Sequence, residues 1–145
     1  MSIGEYVSAA LIAGVIMALA TEAGYRLGII RGNLLQVDGQ FALNRISIKS
    51  ISGLIYTAGI TVHLITSAAF GAVLYAIAEI FNIDATSIKI VAPYVFVLWL
   101  AMLFSALPVA GQGFLGRKLA DSVWIEQLGL HAIFGAGLWG MFTIY

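Results

Sequence analysis

The stretch that decides the fold runs from Ile51 to Ile83 and reads ISGLIYTAGITVHLITSAAFGAVLYAIAEIFNI. It contains no Pro, Lys or Arg, and Glu79 is its only carboxylate. An α-helix rises about 1.5 Å per residue and the hydrocarbon core of a bilayer is about 30 Å thick, so roughly twenty such residues cross a membrane. The stretch therefore predicts a membrane-spanning helix, with His63 in its middle on a face shared with Thr66 and Ser67.

Composition extends this prediction to the whole chain. Of its 145 residues, 61% are hydrophobic and 10% are charged, whereas a soluble domain is about half apolar and about a quarter charged. One domain, residues 1–145, is the natural division. The apolar runs predict spanning helices at about residues 3–28, 51–82, 90–110 and 124–144. The predicted fold class is all-α, an integral membrane four-helix bundle.

The residues that the chain lacks argue against several functions. It has no Cys, which excludes disulfides, Cys-ligated iron–sulfur clusters and covalent c-type haem. Its net charge is zero and it has no basic stripe, so we expect no nucleic-acid partner. Two His without Cys offer no metal-ligand set, and no Ser-His-Asp order is present, so we expect no metal site and no catalytic residue.

The segments outside the apolar runs carry their own signals. Residues 31–49 are polar and contain the turn dipeptide Asp38-Gly39, so we expect a loop there. Pro108 lies near the end of the third span and should kink or end it. Residues Met1–Glu5 have no Lys or Arg and so lack the basic start of a signal peptide, which predicts that the first helix stays uncleaved.

The basic residues predict an orientation. Only Lys89 lies on the side reached after the second span, and all the others lie on the side reached after the first and third. Those others are Arg26, Arg31, Arg45, Lys49, Arg117 and Lys118. Because loops rich in Lys and Arg stay in the cytoplasm, we expect both termini on the periplasmic side.

Two helices share an internal repeat. Phe70 to Ala76 reads FGAVLYA and Phe134 to Gly140 reads FGAGLWG, a common pattern of F-G-A-x-L-aromatic-small. A histidine precedes each copy, His63 by seven residues and His131 by three, and this difference of four is one helical turn. The pattern favours a duplicated helical hairpin over a coincidence among residues that are abundant here.

Ionisable residues inside membrane helices usually face the protein interior, which makes His63 the first candidate site residue. One interpretation is a neutral His63 that is hydrogen-bonded to Thr66, Ser67 or a carbonyl of a neighbouring helix. A second is haem b held by His63 and His131, although the repeat places them about 6 Å apart in depth, which counts against one shared iron.

A third interpretation is a quinone, lipid or proton site that uses His63, His131, Glu22 and Gln127. Glu22 and Arg26 are four residues apart with the acid first, the favourable order for a helical ion pair. That spacing predicts either an interfacial ion pair or a Glu22 carboxylate that faces a cavity.

Four segments carry a resemblance to a known family. They are Ile12–Ala18, His63 with Phe70-Gly71-Ala72, Pro108–Gly116, and His131 with Gly135–Gly140. In these segments the chain resembles the uncharacterised small four-helix bacterial inner-membrane proteins that are grouped as a domain of unknown function. The resemblance implies a four-helix membrane fold and a bacterial inner-membrane location. It brings no established catalytic residue.

These patterns favour a non-catalytic accessory or structural subunit of a larger membrane complex, and whether the chain is an enzyme stays open. The alternatives are an electron-transfer subunit that binds haem b or a quinone, and an oligomeric small transporter. Besides the lipid bilayer, we expect other membrane subunits or further copies of the chain as partners, because small residues lie on several helix faces. These small residues are Ala9 and Ala13, Gly24 and Gly28, Ala68, Ala72 and Ala76, and Ala132, Ala136 and Gly140.

Overall fold

The computed structural model describes residues 1–49 and 51–145, and the regular secondary structure of these residues is all helical, with no strand. The α-helices are α1 (Ile3–Arg26), α2 (Leu34–Arg45), α3 (Ser52–Phe81), α4 (Ile88–Ala101), α5 (Leu107–Val109) and α6 (Val123–Ile144). Four segments are long and apolar enough to cross a membrane: Ile3–Arg26, Ser52–Phe81, Ile88–Val109 and Val123–Ile144. The predicted all-α helical bundle is confirmed.

Local capping signals set the ends of the helices. α1 begins after Ser2 because Ser2 and Glu5 form a capping box, in which each side chain accepts the backbone N–H of the other residue. α3 ends where Asn82 adopts the left-handed conformation, with φ 48° and ψ 51°. The Ser87 side chain accepts the N–H of Lys89 at the start of α4. A short turn therefore joins α3 to α4.

α1 is the central helix and runs antiparallel to both α3 and α6. Gly71 of α3 lies against Tyr6 and Ala10, and Gly137 of α6 lies against Ala13. Ala10 and Ala13 are fully buried. Small residues on both sides of these contacts let the helix backbones approach closely, which is how membrane helices associate.

The segment between α1 and α3 is not the loop that the sequence predicts. Leu34–Arg45 forms helix α2, and Asp38-Gly39 lies inside it. The Asn33 side chain caps this helix by accepting the N–H groups of Leu35 and Gln36. The turn interpretation was wrong because Gly39 serves a helix contact: a Cβ there would collide with a carbonyl of α3.

The chain reaches α2 by turning back along α1. Gly28 has a φ of 73°, which favours glycine, and the Ile30 side chain then packs over Gly24. Asn33 Nδ2 donates to the Glu22 carboxylate at 3.0 Å. α2 therefore begins beside the last turns of α1 rather than beyond them.

The third span is not a uniform α-helix. Residues Met102–Ala106, between α4 and α5, form a π-helical turn in which the Leu107 N–H donates to the carbonyl of Met102. Pro108 has no N–H, and in a regular helix its ring would clash with the carbonyl four residues before it. The wider turn absorbs this conflict, and the span ends at Val109.

The two hairpins of the repeat make matching contacts. In the first hairpin Gly71 of α3 lies against α1, and in the second Gly135 of α6 lies against Val95 of α4. Gly71 and Gly135 are the same position of the repeat. Each copy thus uses its glycine to pack on the long helix that precedes it, which favours the duplicated hairpin.

Helices α3 and α4 diverge after one polar contact. The Tyr94 hydroxyl of α4 donates to the carbonyl of Phe70 on α3 at 2.7 Å. Beyond this bond the two helices and the π-helical turn enclose a space between them. That space contains the candidate site.

Candidate functional site

A cavity of about 490 Å³ lies between α3 on one side and α4 with the π-helical turn and α5 on the other. Met17 of α1, together with His131 and Phe134 of α6, forms its floor, and residues of α2 line one end. Known ligand pockets span roughly 300–1,000 Å³. The polar residues that line the cavity are Asp38, His63, Thr66, Ser67, Ser105 and His131.

His63 is held where α1 and α3 make close contact. A Cβ at Gly14 would collide with the Ser67 side chain and would lie 3.8 Å from Nε2 of His63. Nε2 of His63 lies 3.0 Å from the carbonyl oxygen of Gly14. Because a carbonyl only accepts, Nε2 carries the proton, and in the neutral ring Nδ1 keeps a lone pair.

His131 is held within its own helix. Its Nδ1 lies 2.8 Å from the carbonyl oxygen of Gln127, one turn earlier in α6. By the same reasoning Nδ1 carries the proton of the neutral ring and Nε2 keeps the lone pair. The His131 side chain is buried and lines the same cavity as His63. The site therefore presents two unprotonated imidazole nitrogens.

The structure brings together four of the candidate residues and separates two. His63, Thr66, Ser67 and His131 all line the cavity, whereas Glu22 does not. Glu22 Oε1 lies 2.6 Å from Nε of Arg26 in the predicted i, i+4 ion pair, and its other oxygen accepts from Asn33. Glu22 therefore ties the end of α1 to the start of α2.

Gln127 is also outside the cavity lining. It is fully buried, and its Nε2 donates to the carbonyl of Gly32 at 3.4 Å. Its Oε1 is buried without a hydrogen-bond partner among residues 1–49 and 51–145. The backbone of Gln127 holds His131, and its side chain holds the segment before α2.

Asp38 is a partly buried, ionisable residue of the cavity that the sequence interpretation missed. It lies on α2 and lines the cavity that contains both histidines. No side-chain hydrogen bond to Asp38 is present in the described residues, and burial raises the pKa of its carboxyl to about 6. The signal available in the sequence was the helical spacing of Leu34, Val37 and Phe41 around it, which also line the cavity.

Three phenylalanine rings share the cavity with these polar groups. Phe41 belongs to α2, Phe70 to α3 and Phe134 to α6. Aromatic side chains pack favourably against flat rings, either offset or edge to face. The cavity is therefore suited to a flat, largely apolar molecule that bears hydrogen-bonding groups.

The two histidines bear on the metal and haem alternatives. Across residues 1–49 and 51–145, no group of three or more His, Cys, Asp and Glu side chains is placed to hold a metal ion. Bis-imidazole haem needs a free nitrogen from each ring on one iron. Each ring keeps one, Nε2 of His131 and Nδ1 of His63, because its other nitrogen is bonded to a backbone carbonyl. Haem b therefore stays an alternative, and His131 has the usual arrangement of a ligating histidine, with Nδ1 anchored and Nε2 free.

Comparisons of the chain with protein-family models, with curated proteins and with solved structures found no match.

Proposed function

We propose that the protein is a small membrane subunit that binds the ring of a quinone-type lipid in the cavity between α3, α4 and α6. The observation that carries this proposal is the pair of unprotonated nitrogens, His63 Nδ1 and His131 Nε2, in a cavity that three phenylalanine rings also line. Quinone-type lipids combine a flat ring, two polar oxygens and an apolar tail.

The opening of the cavity supports access from the lipid. On the α3 side Thr66 is exposed, and on the opposite side Ala101, Ser105, Ala106 and Val109 are exposed. These residues lie within membrane-length segments. A ligand that is dissolved in the bilayer can therefore pass between the helices without crossing water, and its tail can stay in the lipid.

Binding of a short-chain quinone tests the proposal. The purified full-length protein in mild detergent is equilibrated with decylubiquinone or decylubiquinol, and the retained ligand is measured after separation. We expect saturable retention of at least one redox form. The loss of one hydrogen bond, worth about 1 kcal/mol, should weaken this binding by roughly tenfold in His63→Leu and His131→Leu.

Thr61→Val is the matched control, because Thr61 is exposed on α3 and donates only to the carbonyl of Thr57. It should bind like the natural chain. Retention of neither redox form, or equal retention by all variants, would contradict the proposal. An absorbance scan and mass analysis of the gently extracted protein test the haem alternative, since a Soret band that is lost in His131→Leu would favour haem b.

The proposed location is the bacterial inner membrane, with both termini in the periplasm. One end of the bundle, where the Arg31 N–H donates to the Glu126 carboxylate at 2.9 Å, carries all the basic residues except Lys89, in loops and at helix ends. The positive-inside rule supports a cytoplasmic position for that end. In intact cells, a membrane-impermeant thiol reagent should therefore label Ser2→Cys but not Ser47→Cys, and the reverse pattern would refute this orientation.

The proposal of a subunit within a larger assembly rests on the outer face of α6. Gly129, Ala132 and Ala136 are exposed, and a Cβ at Gly129 or Gly140 would meet no other atom within 4 Å. A flat face of small residues supports close packing against another membrane helix. The third alternative, an oligomeric transporter, would use the same face but has no charged pathway along it.

A further inference from the structure

We infer that the cavity selects the reduced, hydroxyl-bearing quinol over the oxidised quinone. This inference rests on the proposed function and adds a redox preference to it. It follows from the direction of the hydrogen bonds around His63, Ser67 and His131.

The N–H and O–H groups of the His63, Ser67 and His131 side chains all donate to backbone carbonyls. His63 Nε2–H donates to Gly14 at 3.0 Å, His131 Nδ1–H donates to Gln127 at 2.8 Å, and Ser67 Oγ–H donates to His63 at 2.8 Å. A neutral imidazole has one N–H and a serine has one O–H. These three side chains therefore offer the ligand lone pairs and no proton.

Asp38 adds a fourth acceptor at the end of the cavity that α2 closes. An ionised carboxylate has four lone-pair positions and no donor. The Thr66 and Ser105 hydroxyls can donate, but both residues are exposed at the opening of the cavity rather than on its floor. The cavity groups that would surround the ring of the ligand are therefore mostly hydrogen-bond acceptors.

The two redox forms of the ligand carry opposite hydrogen-bonding groups. A quinol carries two O–H donors, whereas a quinone carries two carbonyl acceptors. A quinone in the site would place its carbonyl oxygens beside the unprotonated nitrogens of His63 and His131, and those buried nitrogens would have no hydrogen-bond donor. Sites that hydrogen-bond a hydroxyl group of their ligand discriminate strongly against analogues that lack it. A quinol in the same position would donate to them.

The test compares the two forms on the full-length protein in nanodiscs at about pH 8, where Asp38 is ionised. We expect decylubiquinol to bind at least about tenfold more tightly than decylubiquinone. Preferential binding of the reduced form raises the midpoint potential of the bound couple, and for this two-electron couple a tenfold preference corresponds to about 30 mV. Redox titration of the bound quinone provides a second, independent measurement.

Substitutions at His131 separate redox preference from ring binding. His131→Leu should weaken quinol binding by about tenfold and should not weaken quinone binding, because it removes a nitrogen that the quinone leaves unpaired. His131→Gln supplies an amide that can donate as well as accept, so it should keep binding and reduce the preference towards one. Unchanged helicity and thermal melting of both variants, with Thr61→Val as the control, establish that they are folded.

Each result has a distinct meaning. Equal binding of quinol and quinone by the natural chain would overturn the redox preference and leave the proposed function standing. Binding of neither form would overturn both. Quinol binding that is lost in Asp38→Asn and is insensitive to His131→Leu would overturn the role assigned to the histidines, because the carboxylate alone would then select the ligand.

Discussion

The backbones of α2 and α3 are in close contact at Gly39 of α2 and Gly59 of α3. A Cβ at Gly39 would collide with the carbonyl of Ile55, and one at Gly59 would collide with the carbonyl of Leu35. Both obstacles are backbone, which cannot move aside as a flexible side chain does. The two positions therefore tolerate no side chain.

We predict that Gly39→Ala and Gly59→Ala each lower the free energy of unfolding by about 1–3 kcal/mol or more, because overpacking forces the backbones apart. Unfolding in sodium dodecyl sulfate, followed by circular dichroism, measures the change. Gly53→Ala is the control, since a Cβ there meets nothing within 4 Å, and the helix preference for Ala should stabilise it slightly. Equal stability of all three variants would refute the close contact.

Asp38 predicts that stability falls as the pH rises. Its carboxyl has a pKa of about 6 in the folded chain against an ordinary 3.8, so the folded state binds more protons between these values. Stability is therefore highest below about pH 4 and is lost as the pH rises to about 6, by about 2–3 kcal/mol in all.

Asp38→Asn removes this titration and should be the more stable protein at about pH 8, with little difference at about pH 4. The same unfolding assay at both pH values measures the effect. Asp121→Asn, on an exposed position, serves as the control. Identical pH profiles for the natural chain and Asp38→Asn would show that Asp38 is not buried.

The sequence singled out four of the six polar residues that line the cavity. His63, His131, Thr66 and Ser67 stood out because polar residues within apolar helices face the protein interior. Asp38 did not, since an acid beside a glycine in a polar stretch is equally typical of a turn. The directions of the hydrogen bonds were also beyond prediction, because they depend on which carbonyl lies opposite each ring.

Helix α2 is the element that sequence reasoning failed to predict. Its apolar residues cover only part of one face, and the helix is too short to span a membrane. What makes it a helix is its contact with α3, made through Gly39 and Gly59. Contacts with a distant segment override local propensity, and a single sequence does not show them.

The return of the chain before α2 can be tested by cross-linking, because the chain has no Cys of its own. A Cβ at Gly32 would lie 2.9 Å from Cγ2 and 3.5 Å from Cγ1 of Val123. A cysteine Sγ takes the position of a Cγ atom, and in a disulfide the Cβ of one residue lies about 3 Å from Sγ of the other. We therefore predict rapid oxidation of the Gly32→Cys, Val123→Cys double variant, detected as a faster band on a non-reducing gel.

The matched control is the Ser47→Cys, Val123→Cys pair, which places the first thiol beyond the end of α2. It should oxidise slowly. Comparable oxidation rates for the two pairs would favour an extended loop between α1 and α3 and would contradict the path in which the chain turns back along α1.

For the whole molecule, the sequence predicted the four long helices because hydropathy and length decide that feature directly. It did not predict the separation of α3 from α4, which creates the cavity. That separation depends on the single Tyr94 to Phe70 bond and on the π-helical turn before Pro108. Neither feature has a hydropathy signal.

The small-residue outer face of α6 also leads to a prediction about the native mass of the protein. We predict that the protein in mild detergent has a native mass above the 15.4 kDa of one chain, through further copies or other subunits. Ala132→Leu with Ala136→Leu should reduce it, because larger side chains disrupt a face of small residues. Val73→Leu, exposed on α3, is the control. A clean single-chain mass for the natural protein would remove the subunit proposal.

The order of synthesis conflicts with the order in which α2 finds its contacts. When residues 34–45 leave the ribosome, α3, against which they pack, has not yet been made. The hydrogen bonds of the Arg31 and Gly32 N–H groups form later still, because the carboxylate that accepts them belongs to Glu126 on the last helix. We therefore expect α2, the second helix to be translated, to be among the last to gain its final contacts. A chain truncated before α6 would lack the Glu126 carboxylate, and the Arg31 and Gly32 N–H groups just before α2 would lose these hydrogen bonds.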